Sequence, residues 1–282
     1  MNLASARVLL TGGAGGIGSA IAAELLAAGA SVMLADMNES ALAAAATRLA
    51  APAERLATFA ANLTDSADRS ALCAATSMWR ANVLVNNAGV NHFGLYDELS
   101  AAQIAQTVSV NVLAPMLLVH ELLPHLKAQP VAHLLNMGSV FGNIGYPGYA
   151  AYSASKFAMR GFSEALRREL AGSNVRVHYL APRATRTPIN SAAVEQMNAE
   201  LKVTMDPPEV VARAARRVLE KNIATAVVGW PEKLFARVNA LVPGVVDGAI
   251  GKQMPVIRNY AQKSATGGKR PPALENLRRK IV

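Results

Sequence analysis

The chain has 282 residues, of which 52% are hydrophobic and 17% charged. These proportions exclude an intrinsically disordered chain, and the length accommodates one large α/β domain or two small ones with an ample core. A single cysteine, Cys73, excludes an intramolecular disulfide framework and a multi-cysteine zinc site. We therefore expect a cytoplasmic protein.

The formal charge of +9 is concentrated at the C-terminal end. Residues 1–230 contain 18 basic and 16 acidic residues, whereas residues 231–282 contain 10 basic and 3 acidic ones. The body of the chain thus lacks the basic stripe that is typical of a nucleic-acid-binding surface. We predict no nucleic-acid partner, although an RNA-binding role of the basic tail is kept as an alternative.

No targeting segment and no membrane span are predicted. A strand-like run begins at Arg7, which leaves no room for a charged region and an apolar signal core. The nearest candidate for a span, residues 234–250, is shorter than the roughly 20 residues that a bilayer requires. It is also interrupted by Arg237, Asn239, Pro243 and Asp247.

In chain order, short apolar runs alternate with longer alanine-rich segments of helical period. The predicted strands cover residues 7–11, 31–36, 55–63, 82–88, 133–138, 175–181 and 225–230. The predicted helices cover residues 17–28, 39–50, 66–79, 100–127, 150–171 and 207–221. This alternation predicts an α/β fold with a Rossmann-like, doubly wound parallel sheet of seven strands, which binds ligands beyond the carboxyl ends of its strands.

Residues 1–230 are predicted to form a single dinucleotide-binding and catalytic domain. Segment 188–206 breaks the alternation and is expected to be a mobile cover over the site. Residues 231–262 have the pattern of an amphipathic helical extension, and residues 263–282 that of a basic, flexible tail. The extension is interpreted as packing on its own domain or on a partner subunit; peripheral contact of residues 231–282 with an anionic membrane is the alternative.

The first predicted strand runs directly into a glycine-rich segment and then a helix. Glycines permit a tight turn and close approach of a pyrophosphate, which the positive helix N-terminus attracts. The residues assigned to this phosphate loop are Gly12, Gly15, Gly16, Ile17 and Gly18.

Asp36 ends the second predicted strand, 20 residues beyond Gly16. A carboxylate there accepts hydrogen bonds from both ribose hydroxyls and repels a 2′-phosphate. The next residue, Met37, is assigned to the cofactor site with Asp36, and no lysine or arginine stands in the glycine loop or directly after Asp36. The sequence therefore favours NAD over NADP, with helix capping as the alternative role of Asp36.

Four motifs follow in order: Asn86-Asn87-Ala88-Gly89 after strand four, Asn111 in the next helix, Ser139 after strand five, and Tyr152-x-x-x-Lys156. Together with the glycine loop, they resemble the classical short-chain dehydrogenase/reductase family over about residues 1–230. The resemblance implies that Asn87, Ala88 and Gly89 contact the cofactor. It also implies a homodimer or homotetramer assembled through the helices at 100–127 and 150–171.

Tyr152 and Lys156 are four residues apart, so they share one face of a helix. A lysine cation favours the phenolate, and we expect the pKa of Tyr152 to lie below its ordinary value of about 10. Tyr152 then acts as general base in alcohol oxidation or general acid in carbonyl reduction, while Ser139 holds the substrate oxygen. By resemblance, Asn111 holds a water that links Lys156 to solvent.

Two positions depart from the family pattern. After strand six the family usually has Pro-Gly and then a threonine for the nicotinamide carboxamide; here Pro182 and Thr187 are in place, but Arg183 replaces the glycine. Arg183 is expected to reach an anionic substrate group or the cofactor pyrophosphate, or else to be solvated. Asn62 replaces an aspartate beside adenine, where its amide oxygen can accept a hydrogen bond and the N–H of Leu63 meets the ring.

The substrate walls are expected from residues 91–96, 140–149 and the cover. They supply His92, Phe93, Tyr96, Val140, Phe141, Ile144, Tyr146 and Ile189, an apolar set that suits a small hydrophobic secondary alcohol or ketone. The five histidines lack metal-ligand spacing, so no metal is predicted.

The sequence therefore predicts an NAD-dependent short-chain oxidoreductase. An NADP-dependent carbonyl or 3-oxoacyl reductase is the alternative, followed by a non-catalytic dinucleotide-binding scaffold, against which the intact Ser139, Tyr152 and Lys156 argue.

Overall fold

A computed structural model describes residues 1–230 and 232–266. Its centre is a parallel sheet of seven strands in the order β3-β2-β1-β4-β5-β6-β7, which confirms the predicted fold class. The strands are β1 Arg7–Thr11, β2 Ser31–Asp36, β3 Leu56–Ala60, β4 Val83–Asn86, β5 Ala132–Met137, β6 Val175–Ala181 and β7 Thr225–Val227. Most of the predicted basic tail, residues 267–282, lies outside the described residues.

Helices cover both faces of the sheet. They are α1 Gly16–Ala27, α2 Glu39–Leu49, α3 Ser66–Met78, α4 Ala101–Val108, α5 Ala114–Lys127, α6 Ala150–Glu169, α7 Ala192–Glu200, α8 Pro208–Glu220, α9 Glu232–Leu241, α10 Pro243–Gly251 and α11 Met254–Thr266. Helix α7 lies within the predicted cover, and helices α9 to α11 form the extension.

The core has two halves because successive side chains of a strand point to opposite faces. Leu10 of β1 packs in the layer with α1 and α8, whereas its neighbour Leu9 packs in the layer with α3, α5 and α6. Both leucines are fully buried, and each such burial stabilises the fold by roughly 1.5 to 3 kcal/mol. The doubly wound arrangement leaves the carboxyl ends of the strands free to build a site.

Three strands end earlier than predicted, and hydrogen bonds outside the sheet take up the chain after two of them. After β4, the N–H groups of Asn87 and Ala88 donate to the Thr11 hydroxyl at 3.0 and 3.1 Å instead of continuing the sheet. After β3, Asn62 folds back on Thr64 through its side chain. The third shortened strand is β7, which ends at Val227.

The helix predicted over residues 100–127 contains a wider π turn at Ser109–Leu113, centred on Asn111. The whole helix from Ala101 to Lys127 is long and apolar enough, by length and composition, to cross a bilayer. Leu118, Val119 and Leu122 instead pack it into the core beneath the sheet. We therefore interpret it as a core helix.

The extension packs on the domain that precedes it. Val246 of α10 is buried against Val140 and Ile144, and Ile257 of α11 is buried in a cluster with Tyr149. Pro243 begins α10, so the extension is divided at this residue. The three helices thus lie over the carboxyl ends of the strands.

Candidate active site

The glycine loop between β1 and α1 is shaped for a phosphate group. Gly12 has a φ of +63°, a conformation that favours glycine, and a Cβ at Gly18 would lie 2.1 Å from the Gly12 carbonyl oxygen. The N-cap of α1 is Gly15, which makes no side-chain capping hydrogen bond. The first N–H groups of α1 therefore remain available to phosphate oxygens, so the loop fits a dinucleotide pyrophosphate.

Asn87 fastens this loop to the end of β4. Its Nδ2 donates to the carbonyl oxygens of Thr11 and Gly12, both at 3.1 Å. The side chain of Asn87 therefore shapes the phosphate loop, while Gly89 beyond it lines the adjoining cavity.

Asp36 stands at the carboxyl end of β2, beside the glycine loop. Its two carboxylate oxygens accept from the backbone N–H groups of Ala14 and Asn38, each at 3.3 Å. The alternative of helix capping is wrong, because Asn38 caps α2 by accepting from Ala41. The neighbouring Met37 side chain is 74% exposed and carries no charge for a 2′-phosphate.

The predicted adenine contact of Asn62 needs correction. Its amide oxygen already accepts from the N–H and the hydroxyl of Thr64, at 3.1 and 2.8 Å. These two hydrogen bonds use both lone pairs, so the oxygen is not free for adenine. The backbone of Leu63 is held by Arg69, which donates to its carbonyl at 3.2 Å; the contact of its N–H with adenine stays a prediction.

Ser139, Tyr152 and Lys156 come together at the carboxyl end of β5. Ser139 caps a short 3₁₀ turn and accepts from the N–H of Phe141 at 3.1 Å, and it lines the same cavity as Tyr152. Tyr152 and Lys156 lie in the first turns of α6, with the lysine Nζ 5.6 Å from the tyrosine ring centroid. Lys156 is buried and donates to the Met137 carbonyl at 3.1 Å.

Burial is the largest cause of the shifted pKa values of Tyr152 and Lys156. Desolvation raises the pKa of Tyr152 to about 12, and the smaller effect of the Ser139 hydrogen bond lowers it. Desolvation also lowers the pKa of Lys156 to about 8. The expectation that the lysine brings the Tyr152 pKa below 10 is therefore wrong for the chain by itself.

Asn111 is buried next to this group, and its side chain is committed to the protein. Its Oδ1 accepts from the N–H of Val90 at 2.8 Å, and its Nδ2 donates to the Val90 carbonyl at 2.9 Å and to Ser155 at 3.1 Å. The side chain thus fixes the segment that follows Gly89. The water-holding role implied by the resemblance stays a prediction.

Arg183 occupies neither of the roles expected for it. Its guanidinium donates to both carboxylate oxygens of Asp206, at 2.8 and 2.7 Å, and approaches Glu232 at 3.4 Å. The side chain is mostly buried, at 16% exposure, so it is not solvated. Arg183 instead joins the end of β6 to the end of the cover and the beginning of α9.

A cavity of about 510 Å³ lies above these residues. Ser139, Tyr152 and Lys156 line it, as do Ile17, Asn87, Gly89, Pro182 and Thr187 of the predicted cofactor set. Thr187 lies close over the loop, because a Cβ at Gly16 would be 2.9 Å from its Cγ2. The cavity therefore continues from the predicted cofactor site to the catalytic residues.

The substrate walls agree only in part with the prediction. Val140, Phe141, Ile144, Tyr146 and Ile189 line the cavity. His92, Phe93 and Tyr96 do not: His92 contacts Gln106 at 3.0 Å, Phe93 packs on Tyr149, and Tyr96 is 62% exposed.

The cover contributes to the wall as predicted, through Met197 of α7. The prediction missed the walls supplied by the extension, which include Phe235, Val246, Ile250 and Gln253. Gln253 accepts a hydrogen bond from the Tyr146 hydroxyl at 2.6 Å, across 107 residues of sequence. The amphipathic period of residues 231–262 indicated that the extension has an apolar side. It did not indicate that this side packs over the substrate cavity.

Cys73, the single cysteine of the chain, lies on α3. The thiol is half-buried and donates to Glu121 at 3.5 Å. Burial, together with that carboxylate, raises the pKa of Cys73 to about 12, so it is not a reactive thiol. Within residues 1–230 and 232–266, there is no group of three His, Cys, Asp or Glu side chains able to hold a metal.

Comparison with known proteins identifies the class of this fold and site. The profile of the short chain dehydrogenase family matches residues 6–198. Nodulation protein G of Rhizobium sp. (strain N33) is 35% identical over 202 residues, which cover 71% of this chain and 80% of that protein.

Solved structures agree with this assignment. A short chain dehydrogenase/reductase from Burkholderia phymatum in complex with NAD has a TM-score of 0.79 at 24% identity, covering 87% of this chain and 96% of that one. The 3-ketoacyl-(acyl-carrier-protein) reductase from Brucella melitensis complexed with NADH has a TM-score of 0.73 at 26% identity, covering 80% and 96%.

The fold and the site thus define a Rossmann-type oxidoreductase that acts on CH–OH groups with a nicotinamide dinucleotide. The chain belongs to the short-chain dehydrogenase/reductase family.

Proposed function

We propose that this protein interconverts hydrophobic secondary alcohols and their ketones with NAD as the preferred cofactor. The observation that carries the proposal is the placement of Ser139 and Tyr152 in a cavity walled by Val140, Phe141 and Ile144. Apolar walls with a few polar groups at one end favour a ligand that has one oxygen on an apolar skeleton.

Different side chains of the protein orient the substrate and transfer its proton. Ser139 holds the substrate oxygen by a hydrogen bond, next to the Tyr152 hydroxyl. Tyr152 takes the hydroxyl proton in oxidation and returns it in reduction, and Lys156 favours its phenolate by charge. A bound nicotinamide dinucleotide accepts or supplies the hydride. The apolar walls keep competing water from the reacting oxygen.

The raised pKa of Tyr152 bears on the direction of reaction. A tyrosine with a pKa of about 12 is protonated at neutral pH, and this is the form that ketone reduction requires of a general acid. Alcohol oxidation needs the phenolate, so its rate should rise with pH over the neutral and alkaline range. The positive charge of an oxidised nicotinamide favours the same phenolate.

The preference for NAD rests on Asp36. Its carboxylate adjoins the glycine loop, where a ribose hydroxyl can donate to it and a 2′-phosphate would be repelled. An NADP-dependent 3-oxoacyl reductase is the second candidate. The similarity to the Brucella melitensis reductase and the size of the cavity favour an acyl substrate, whereas Asp36 argues against NADP.

The proposed preference is tested by titrating the protein with NADH and with NADPH while following nicotinamide fluorescence. We expect NADH to bind at least about tenfold more tightly, since like-charge repulsion of this kind costs at least roughly 1.4 kcal/mol. Asp36→Ser should reduce that ratio, and Asp97→Ser, at an exposed carboxylate away from the cavity, should leave it unchanged. Equal affinities in the unaltered protein would refute the NAD preference.

The association of two or four copies remains a proposal. Exposed apolar side chains on the two helices named by the resemblance support it: Leu113 and Met116 flank the start of α5, and Phe157 lies on α6.

A further inference from the structure

Helices α9 and α10 expose an unusual concentration of large apolar side chains. Leu234, Leu241, Val242 and Val245 are 48, 82, 53 and 64% exposed. We call these four residues the apolar face. Scattered exposed leucines are ordinary in proteins, but four large apolar side chains exposed within twelve residues are an unusual concentration and indicate a candidate binding surface.

Basic side chains lie within and beside the apolar face. On α9, Leu234, Arg237 and Leu241 follow at spacings of three and four, so Arg237 stands between the two leucines, with Lys233 one turn before it. Lys233 and Arg237 are exposed. Of the acidic residues on these helices, Glu232 is paired with Arg183, which leaves Asp247 as the one exposed carboxylate.

The chain beyond residue 266 adds to this charge. It contains the basic residues Lys269, Arg270, Arg278, Arg279 and Lys280 and one acidic residue, Glu275. An apolar helix face with flanking cations and a basic segment has the composition of a helix that lies in the interface of an anionic bilayer.

The mouth of the cavity opens beside the apolar face. Ile189, Val203 and Phe235 line the cavity and are also exposed, at 51, 36 and 46%, so they stand where it reaches the surface. Phe235 is the neighbour of Leu234 on α9. An apolar molecule at the apolar face would thus enter the cavity along apolar side chains.

We propose that α9 and α10 dock on an anionic lipid bilayer, and that the cavity takes its alcohol or ketone from that bilayer. A second copy of the chain is a poorer partner for this face. In a two-fold symmetric pair the same patch of each copy is buried, which would enclose Lys233 and Arg237 of both copies in one interface. Lipid headgroups, by contrast, neutralise these cations while the leucines enter the acyl region. The docking is independent of the proposed function, whereas the choice of substrate rests on it.

The test is flotation of the full chain with phosphatidylcholine vesicles, with and without phosphatidylserine. We expect binding to the vesicles that contain phosphatidylserine, and weaker binding as salt is added. The double variant Leu241→Ser, Val245→Ser should bind at least about tenfold less, because two apolar side chains no longer enter the bilayer. Lys233→Glu with Arg237→Glu should likewise lose binding. The matched control is Met78→Ser, which removes a side chain 79% exposed on α3.

Several outcomes would overturn the docking. The docking is refuted if the unaltered protein floats with neither kind of vesicle, or if the Leu241→Ser, Val245→Ser variant binds the vesicles fully. A change in the oligomeric mass of that variant would instead assign the apolar face to a second copy of the chain. Titration of each variant with NADH reads the cofactor site separately. For the variants of the apolar face and its cations, we expect loss of flotation with intact NADH binding. If the unaltered protein floats but binds no dinucleotide, the proposed function is refuted and the docking is retained.

Discussion

Tyr152 illustrates how neighbouring groups, more than residue type, determine what a side chain does. Its side chain lines the cavity together with Ser139, and the Lys156 Nζ lies 5.6 Å from its ring centroid and donates to the Met137 carbonyl. Burial raises the pKa of the tyrosine to about 12 and lowers that of the lysine to about 8, which moves apart two pKa values that ordinarily lie close together. Such paired perturbation is typical of catalytic groups.

Removal of the Tyr152 hydroxyl should abolish most of the activity without unfolding the protein. We expect Tyr152→Phe to reduce kcat/KM by about 10²- to 10⁴-fold, the usual contribution of a general acid or base, with NADH binding retained. Steady-state kinetics with a hydrophobic secondary alcohol, together with the NADH titration, measure both effects. Tyr96→Phe makes the same chemical change at a tyrosine outside the cavity, and it should leave both kcat/KM and NADH binding unchanged. A fall of less than fivefold for Tyr152→Phe would exclude the proton-transfer role.

At the scale of elements, Arg183 joins three segments that are distant in the chain. Its partners Asp206 and Glu232 lie 23 and 49 residues away, at the end of the cover and the start of α9. Close packing supports the arrangement, because a Cβ at Gly229 would lie 2.7 Å from the Arg183 Cδ. The residue that replaces a family glycine therefore positions the cover and the extension over the cavity.

The Arg183–Asp206 pair should contribute more to stability than an exposed pair of the same kind. A double-mutant cycle with Arg183→Met and Asp206→Asn should give a coupling energy of about 1 to 3 kcal/mol in urea denaturation, since both partners are largely buried and the contact is bidentate. The exposed pair of Glu164 and Arg168 on α6 provides the control cycle, expected at or below about 0.5 kcal/mol.

The Arg183→Met variant should also raise KM more than it lowers kcat, because a loosened cover weakens substrate binding while Tyr152 stays in place. Equal coupling energies in the two cycles would mean that Arg183 does not hold the cover.

For the molecule as a whole, a buried pair of histidines links stability to pH. His133 on β5 and His178 on β6 are 2 and 1% exposed, and their facing nitrogens are 2.8 Å apart. His178 Nδ1 donates to the Ile223 carbonyl, so its Nε2 accepts from His133 Nδ1. Burial lowers the pKa of His133 to about 3 and lowers that of His178, so both rings are neutral in the folded protein.

The unfolded chain binds protons at these histidines that the folded chain excludes. Stability is therefore full above the unfolded pKa of about 6.5 and decreases as the pH falls toward the folded value. For His133 alone we expect a loss of about 2 kcal/mol in the free energy of unfolding between pH 7.5 and pH 5. Urea denaturation at the two pH values measures it.

His133→Gln should reduce this pH dependence, whatever its effect on stability at pH 7.5. His120→Gln, at an exposed histidine, should leave the dependence as it is. A pH dependence that is the same in all three proteins would show that the pair is not its source.

The sequence by itself determined the sheet and the chemical groups at its carboxyl edge. Strand and helix periods are local, and so is the four-residue spacing of Tyr152 and Lys156, which needs only one turn of helix to place both on one face. The glycine loop is likewise a local device, since Gly12 and Gly18 meet within a single strand-turn-helix unit.

Only the tertiary structure decided the partners of Arg183, the pKa of Tyr152 and the part of the cavity wall that the extension supplies. Each depends on atoms far away in the chain: Asp206 and Glu232 for Arg183, the surrounding burial for Tyr152, and Gln253 for Tyr146. A periodic pattern specifies which side of a helix is apolar, but the surface it covers depends on where the chain returns. Long-range contacts of this kind close the substrate cavity, and no local spacing encodes them.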